Sequence, residues 1–215
     1  MLVTNKTDYF VTGTSIHIVE YDPCWKKRFN EFKDVLWPVV ADHSIGFEHV
    51  GSTAVEGLAA KPIIDIDIVV SSMNALLKVI ERLVPLGYVH QGELGIQGRH
   101  AFFQQENVSK LHLYVCLEGS LGLRNHLALR DYLRAHPSAV KEYSNLKKRL
   151  AQQYPNKIDC YNDCRISVAL SSVTRNLMQK QERLDPGWAW TKKYNIGWCK
   201  GRGHHLHVWT GSPRR

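Results

Sequence analysis

Two aspartates in an apolar stretch are the first residues of this chain whose types and spacing suggest chemistry. Asp65 and Asp67 interrupt a β-branched run at residues 63–70. Side chains alternate between the two faces of a strand, so we expect both carboxylates on one face and the intervening isoleucines on the other. Neighbouring carboxylates repel each other, and a bound divalent cation removes that conflict. Oxygen ligands at this spacing predict a site for Mg²⁺ or Mn²⁺.

A glycine–serine pair upstream has the properties of a phosphate site. Gly51 follows a short strand-like run at residues 45–50, and a glycine allows a backbone or a phosphate to come close. Ser52 can cap a short helix, and a helix N-terminus after a tight turn binds phosphate. Lys61 begins the aspartate strand, at the mouth of this predicted phosphate site. The competing interpretation of Lys61 is a solvated lysine.

Three further candidates lie later in the chain. A strand at residues 110–117 is expected beside the aspartate strand, and its polar position, His112, is a candidate metal ligand. The alternative for His112 is a buried, hydrogen-bonded histidine. Arg99 begins another strand, and Arg130 shares a helix face with Arg134. The forked guanidinium of Arg130 suits a phosphate, and a salt bridge is its alternative role.

The elements that must position these residues follow from periodicity and turn signals. A helix is predicted after Asp22 and Pro23, because a stripe of aromatic and aliphatic residues recurs there at helical spacing. Apolar and polar residues alternate in the predicted strands, and glycines punctuate the loops between them. The predicted strands lie at 16–21, 45–50, 63–70, 88–94, 99–105 and 110–117, and later helices at 72–85, 121–135, 138–154 and 161–184. The fold class is therefore α/β, a mixed sheet of about five strands flanked by helices.

Several motifs, in order, resemble one known family. The order of an apolar residue, Gly-Ser, a short helix and Asp-x-Asp resembles the signature of the nucleotidyltransferase superfamily. Over about residues 16–165 the chain more closely resembles the GrpB family, a small domain of that fold. The segments that carry this resemblance are IVEYDPCW at 18–25, EHVGSTAV at 48–55, KPIIDI at 61–66, LHLYV at 111–115 and RDYLRAHP at 130–137.

The resemblance implies a nucleotidyltransferase-like sheet and a metal-dependent nucleotidyltransferase. A nucleoside triphosphate, or another phosphate-bearing small molecule, would be its ligand, and the acceptor is unassigned. Such enzymes usually carry a third carboxylate on a neighbouring strand. This chain offers none in a clean position, and Glu93 is only the nearest acid in an adjacent stretch. The alternative is a non-catalytic nucleotide-binding, phosphate-binding or accessory module. Because GrpB-like domains are also found fused to dephospho-coenzyme A kinase, that module would be linked to coenzyme A metabolism.

Composition separates a nearly neutral domain from a basic tail. The net charge is +8, of which residues 180–215 contribute +6 through eight Lys/Arg and two Asp/Glu. We expect a lead at 1–15 without fixed structure, a domain at 16–179 and a Trp-rich tail at 180–215. Nucleic acid is then a partner only through the tail. Five cysteines without paired spacing and the absence of a long apolar run predict a cytoplasmic protein with no membrane partner.

Overall fold

The computed structural model describes residues 15–104, 110–162 and 164. Three predictions lie wholly or largely outside these residues. They are the N-terminal lead, the basic tail and the part of the last predicted helix beyond residue 164. Within the described residues, that last helical segment begins at residue 158, three residues earlier than predicted.

Five strands form one mixed sheet, as the alternating patterns predict. Their order across the sheet is β1-β2-β5-β4-β3. β2 and β5 are parallel, whereas the other neighbouring strands are antiparallel. The strands are β1 (Gly46–Val50), β2 (Ile64–Val70), β3 (Val89–Gly92), β4 (Arg99–Phe103) and β5 (Leu111–Leu117).

Besides the segment that begins at residue 158, the described residues form four helices around this sheet: α1 (Cys24–Val40), α2 (Met73–Leu83), α3 (Leu121–Ala135) and α4 (Pro137–Gln153). Side-chain oxygens accept backbone hydrogen bonds at the start of two of them: Ser72 is the N-cap of α2, as predicted from the sequence, whereas Pro23 rather than Asp22 is the N-cap of α1. Asp22 accepts a hydrogen bond from the backbone of Cys24 at 2.9 Å, and Ser72 accepts one from Ala75 at 3.2 Å. None of the helices in the described ranges has the length and apolarity needed to cross a bilayer.

One face of the sheet packs against α1 and α2 and forms the main hydrophobic core. The isoleucines of β2 point into this face, as predicted. The core contains fully buried side chains from β2, β5, α1 and α2, including Trp25, Leu36, Ile64, Ile66, Ile68, Leu76, Leu113 and Val115. Because side chains alternate along β2, its odd-numbered side chains, among them both aspartates, point to the opposite face.

The opposite face is covered in part by α3, through a small apolar contact of Val69 and Cys116 with Leu123. The next helix, α4, packs on α3 and on the segment that follows the glycine–serine pair, where Val55 and Leu58 meet Tyr143. The polar residues discussed below lie between these apolar contacts.

The predicted strand at residues 16–21 is wrong. That segment forms one isolated antiparallel bridge between Val19 and Ala60, with both backbone N–O distances at 2.9 Å. Ile16 instead donates its backbone N–H to the carbonyl of Pro155. Alternating apolar residues here pack against helices, because no sheet edge in the described part of the chain extends along the segment.

Candidate functional site

The glycine–serine turn lies directly against the aspartate strand. Gly51 ends β1 with a φ of +71°, and a short 3-10 helix, Ser52–Ala54, follows it. A Cβ atom at Gly51 would lie 2.2 Å from Oδ2 of Asp65, closer than any real contact. Only glycine satisfies both the left-handed backbone and this approach. The turn and the first aspartate therefore form one compact structure.

Both aspartates lie on the face of the sheet that α3 covers. Asp65 aligns with His112 on the parallel strand β5, and Asp67 aligns with Tyr114. On the other side, Asp67 aligns with Glu48 of the antiparallel strand β1. Residues directly opposite each other share a face, so strand alternation produces a row of polar side chains here.

Asp65 forms a hydrogen bond with His112. The imidazole Nδ1 lies 2.8 Å from Oδ1 of Asp65, and the two side chains are 23% and 27% exposed, for the histidine and the aspartate. His112 therefore matches the hydrogen-bonded alternative, except that it is partly exposed rather than buried. Its bond to Asp65 fixes the orientation of the carboxylate beside the turn.

Asp67 is fully buried and forms a hydrogen bond with His126 of α3. His126 was not among the candidate residues identified from the sequence. Nδ1 of His126 lies 2.7 Å from Oδ2 of Asp67. Oδ1 of Asp67 is buried and has no hydrogen-bond partner among the described residues. Burial raises the pKa of Asp67, and the bond and charge of His126 oppose that increase. Asp67 is thus a carboxylate held where its charge is costly.

Two groups beside Asp67, the buried Cys116 thiol and the hydroxyl of the half-buried Tyr114, are held in their neutral forms. Burial raises the pKa of the Cys116 thiol, and the charge of Asp67 raises it further. Burial likewise raises the pKa of Tyr114, and Asp65 adds to the increase. The guanidinium of Arg99 stacks on the Tyr114 ring at 4.6 Å. Its positive charge opposes the increase in the pKa values of Asp67, Tyr114 and Cys116. Arg99 is therefore a positive charge on the acid-bearing face, as a phosphate-binding role would require.

Arg130 makes the salt bridge that was its alternative role. Its Nη1 donates to Oε2 of Glu48 at 2.6 Å and to the carbonyl of His49 at 3.1 Å. Its Nε donates to Asp131 at 2.7 Å. Arg130 thus ties α3 to the strand before the turn.

The acid that lies nearest the pair by alignment is Glu48, not Glu93. Glu93 accepts a hydrogen bond from the backbone of Gly98 at 2.7 Å and lies 3.7 Å from Nε2 of His100. His100 aligns with Val115, which belongs to the apolar core face. Glu93 therefore does not supply a third carboxylate to the pair, because its segment turns toward the other face, and this agrees with the sequence, which offered no acid in a clean position.

A buried lysine contacts the serine of the turn. Nζ of Lys147, on α4, donates to Oγ of Ser52 at 3.0 Å, and Lys147 is 1% exposed. Its ammonium also lies 4.9 Å from the Tyr143 ring. Lys61 lies at the start of the aspartate strand, with its ammonium 5.7 Å from the Tyr161 ring. The positive charge at Ser52 is supplied by Lys147, a residue from 95 positions later in the chain.

His126 was not among the candidates identified from the sequence, and Lys147, on the last helix of the family resemblance, was only a weak one. Lys147 falls within the buried stripe of α4, between Tyr143 and Leu150, where a lysine is unusual. His126 lies three residues after the buried Leu123 and four before Arg130, on one helical face. Helical spacing indicated that they face inward, and only the assembled fold shows what they contact.

The donor set fits a magnesium ion that is shared with a ligand. Among the described residues, no three His, Cys, Asp or Glu side chains are arranged to hold a metal ion. Mg²⁺ is commonly bound by one or two protein carboxylates together with substrate phosphates, so three protein ligands are not required. Asp65 and Asp67 share one face, and the buried Oδ1 of Asp67 has no hydrogen-bond partner there. The role of His112 as a metal ligand stays a prediction.

Comparisons with known proteins agree on one family. The model of the family described as GrpB protein matches residues 15–176. The UPF0157 protein YqkA of Bacillus subtilis is 40% identical over 146 residues, which are 68% of this chain and 43% of YqkA. The glutamate-rich protein GrpB of Alkalihalophilus pseudofirmus is 36% identical over 158 residues, covering 71% of this chain and 91% of that protein. The chain thus spans less than half of the length of YqkA.

A solved structure shows the same fold. The crystal structure of the conserved protein GrpB from Enterococcus faecalis superimposes with a TM-score of 0.65 at 30% sequence identity. The match covers 75% of this chain and 99% of that chain. The sheet and the helices around it are therefore shared with a solved protein along nearly its whole length.

Proposed function

This chain belongs to the GrpB family, and we propose that it binds a nucleoside triphosphate at the Gly51–Ser52 turn and transfers the nucleotidyl group to an acceptor. The metal would be Mg²⁺ or Mn²⁺, and the acceptor is a small molecule or macromolecule whose identity is open.

One contact carries the proposal, the packing of Gly51 against Asp65. The Cβ-free turn and the carboxylate are so close that a side chain at position 51 would overlap Oδ2. A ligand that reaches the turn with its phosphates therefore comes within reach of the first aspartate. This is the juxtaposition that the order of the sequence motifs implied.

Hydrogen-bond donors for a phosphate are present at the turn. The hydroxyl of Ser52 and the ammonium of Lys147 lie 3.0 Å apart. A lysine ammonium and a serine hydroxyl are both groups that phosphate oxygens accept from. Arg99, Arg130 and Lys61 are proposed to contribute further positive charge, and Arg130 would first have to release Glu48.

Asp65 and Asp67 are the residues that would hold the cation. A cation held there would stabilise the charge that develops on a transferred phosphoryl group. The two histidines keep the carboxylates oriented, His112 at Asp65 and His126 at Asp67. Oriented carboxylates of this kind lower the reorganisation needed when a cation binds.

A second candidate is a nucleotide-binding or phosphate-binding module without catalysis. The observation that favours it is that both carboxylates already have imidazole partners and that Asp67 is fully buried. Glu48, the acid aligned with Asp67, is engaged by Arg130. In this reading the polar face fixes the turn and the ligand is bound without turnover.

Pyrophosphate release separates the two candidates without requiring the acceptor. Water can replace a missing acceptor slowly, converting a nucleoside triphosphate and water to a nucleoside monophosphate and pyrophosphate. We expect release with one or more of ATP, GTP, CTP and UTP that requires Mg²⁺ or Mn²⁺ and is lost in Asp65→Asn. The control is Asp34→Asn, which changes an exposed aspartate on α1.

The same samples are followed by thermal unfolding. A ligand that binds only the folded state at 100 times its Kd stabilises it by about 2.7 kcal/mol. A midpoint increase without pyrophosphate release supports the second candidate. If wild-type protein shows neither pyrophosphate release nor a midpoint increase with any of the four nucleotides, the proposal is contradicted.

A further inference from the structure

A cavity of about 960 Å³ opens between α1 and α4. Its floor is the segment that follows the turn, and it includes Thr53, Ala54 and Gly57. Neither Gly51 and Ser52 nor the two aspartates line it. Ligand pockets typically enclose about 300–1,000 Å³, so the cavity has the size of a small-molecule site separate from the one proposed above.

The cavity wall carries more positive than negative charge. Four cationic side chains and two acidic ones line it, a surplus of two positive charges. Lys148 is paired with Glu20. Lys26 and Lys141 form no ion pair within the described residues, and they approach from different helices. The charges left over therefore favour an anion.

The third cation, Arg134, keeps its charge available to the cavity. Its Nε and Nη2 both donate to the carbonyl of Ala54, at 3.0 and 2.8 Å. A carbonyl satisfies these donors but does not neutralise the guanidinium. This contact holds the arginine against the cavity floor while its positive charge remains.

One wall of the cavity is flat and aromatic. The rings of Phe29 and His49 stack in parallel, with centroids 4.6 Å apart and planes within 5°. Nε2 of His49 lies 3.1 Å from Oγ1 of Thr53, which fixes the imidazole in place. Burial lowers the pKa of His49 to about 4, opposed by the charge of Asp65. The imidazole is therefore uncharged at pH 7, and the wall consists of two uncharged aromatic rings.

Together these features match a ligand with a ring at one end and a phosphate at the other. A phosphate monoester carries about −1.5 to −2 charges at neutral pH, which balances a surplus of two positive charges. A planar ring gains stacking and apolar contact on an aromatic wall. Amides at Asn30 and Asn145, which also line the cavity, add hydrogen-bond donors and acceptors.

We propose that the cavity between α1 and α4 is a second ligand site, specific for a small molecule that carries both a planar ring and a phosphate monoester. Its cations, Lys26, Lys141 and Arg134, hold the phosphate, and the Phe29–His49 wall holds the ring. This site goes beyond the proposed function, because it requires neither a triphosphate nor a divalent metal.

Calorimetric titration at pH 7.5 in EDTA tests both halves of the site with three probes. AMP carries the ring and the phosphate, adenosine only the ring, and ribose 5-phosphate only the phosphate. We expect AMP to bind saturably and at least about tenfold more tightly than either fragment, a difference of about 1.4 kcal/mol. EDTA removes any metal-dependent binding at the aspartates.

Variants then locate the bound AMP. Lys26→Glu and Lys141→Glu, on separate helices, should each lower the affinity for AMP at least about tenfold. Lys157→Glu, an exposed lysine that does not line the cavity, is the matched control. Ser52→Ala reports on the turn. Lys157→Glu should keep the affinity of wild-type protein within about twofold, whereas AMP bound at the turn would be weakened by Ser52→Ala and not by Lys141→Glu.

Three outcomes overturn the site. They are AMP binding no more tightly than its fragments, AMP binding that is lost in Ser52→Ala but kept in Lys141→Glu, and no saturable binding of AMP. Failure of the triphosphate experiment leaves this test unchanged, because the probes, the metal conditions and the diagnostic variants all differ.

Discussion

The face of the sheet under α1 and α2 is mainly apolar, with His49 and His100 as exceptions, whereas the face that meets α3 carries acids, a histidine and an arginine. The same strand contributes to both. In β2, Ile66 and Ile68 are fully buried in the core, and Asp65 and Asp67 point the other way. Burying an isoleucine stabilises a fold, whereas burying Asp67 raises its pKa and costs free energy.

The apolar face stabilises the fold, whereas the polar face carries the side chains of the candidate site. The apolar face would stabilise the sheet with any well-packed aliphatic residues. The polar face needs specific partners, and an apolar residue of similar volume in place of a buried ion pair is often neutral or stabilising. We therefore infer that the polar face is present for ligand binding.

Ile66→Ala should produce the largest loss of stability. It deletes buried methyl and methylene groups from the centre of the apolar face, where Ile66 has no exposed surface. We expect the free energy of unfolding to fall by about 2–5 kcal/mol, measured by urea denaturation. Leu77→Ala, at a leucine 52% exposed on α2, should change it by no more than about 0.5 kcal/mol. Comparable losses at the two positions would contradict this assignment of the core.

Gly51→Ala tests whether the turn and Asp65 must touch. The new Cβ would meet Oδ2, Cγ and Cβ of Asp65 at 2.2–2.9 Å in a left-handed backbone. We expect a loss of about 1–3 kcal/mol in the free energy of unfolding, together with loss of any nucleotide response. Gly95→Ala is the control, because Gly95 also has a positive φ of +81° but nothing within 4 Å of its added Cβ.

The Gly95 variant measures the backbone strain alone. The difference between the two variants is then the cost at Gly51 beyond that of a positive φ at Gly95, and it includes the overlap with Asp65. Equal losses would mean that the turn relaxes freely, and that the contact with Asp65 does not constrain the site.

Asp67→Asn should have the smallest effect on stability, in the favourable direction. A carboxyl whose pKa is raised on folding stabilises the fold below its unfolded value near 3.8, and this contribution is lost as pH rises through the folded pKa. Asparagine does not ionise, so the variant does not lose this stability as pH rises. Its amide oxygen can still accept a hydrogen bond from His126. At pH 7 we expect the variant to match wild type or exceed it by about 0–2 kcal/mol.

The pH dependence gives this prediction its sign. The stability of Asp67→Asn relative to wild type should increase from pH 3 to pH 7, measured by urea denaturation across that range. Asp34→Asn, the exposed control, should change stability by no more than about 0.5 kcal/mol. A clear destabilisation of Asp67→Asn at pH 7 would show that the ionised carboxylate stabilises the fold.

Much of this arrangement was predictable from local pattern. Alternation in β2 placed both aspartates on one face, and the polar position of the neighbouring strand was correctly expected beside them, where His112 aligns with Asp65. The limits of α3 also match the periodicity of the sequence. These features depend on contacts that repeat along one strand or one helix, so the sequence specifies them directly.

The partners of the site were not predictable in the same way. His126 reaches Asp67 from 59 residues away, Arg130 reaches Glu48 from 82, and Lys147 reaches Ser52 from 95. Such pairs depend on how α3 and α4 dock on the sheet, and a single sequence does not encode that docking in any local period. The alignment of Glu48 with Asp67 was not anticipated either, because it depends on how β1 pairs with β2.

The central claim is that the turn and Asp65 form one nucleotide site. Its most direct test is calorimetric titration of a non-hydrolysable nucleoside triphosphate in Mg²⁺, with wild type, Asp65→Asn and Asp34→Asn. We predict equal affinities for wild type and Asp34→Asn, and binding at least about tenfold weaker for Asp65→Asn. Equal affinities for all three proteins, or no saturable binding to wild type, would contradict the claim.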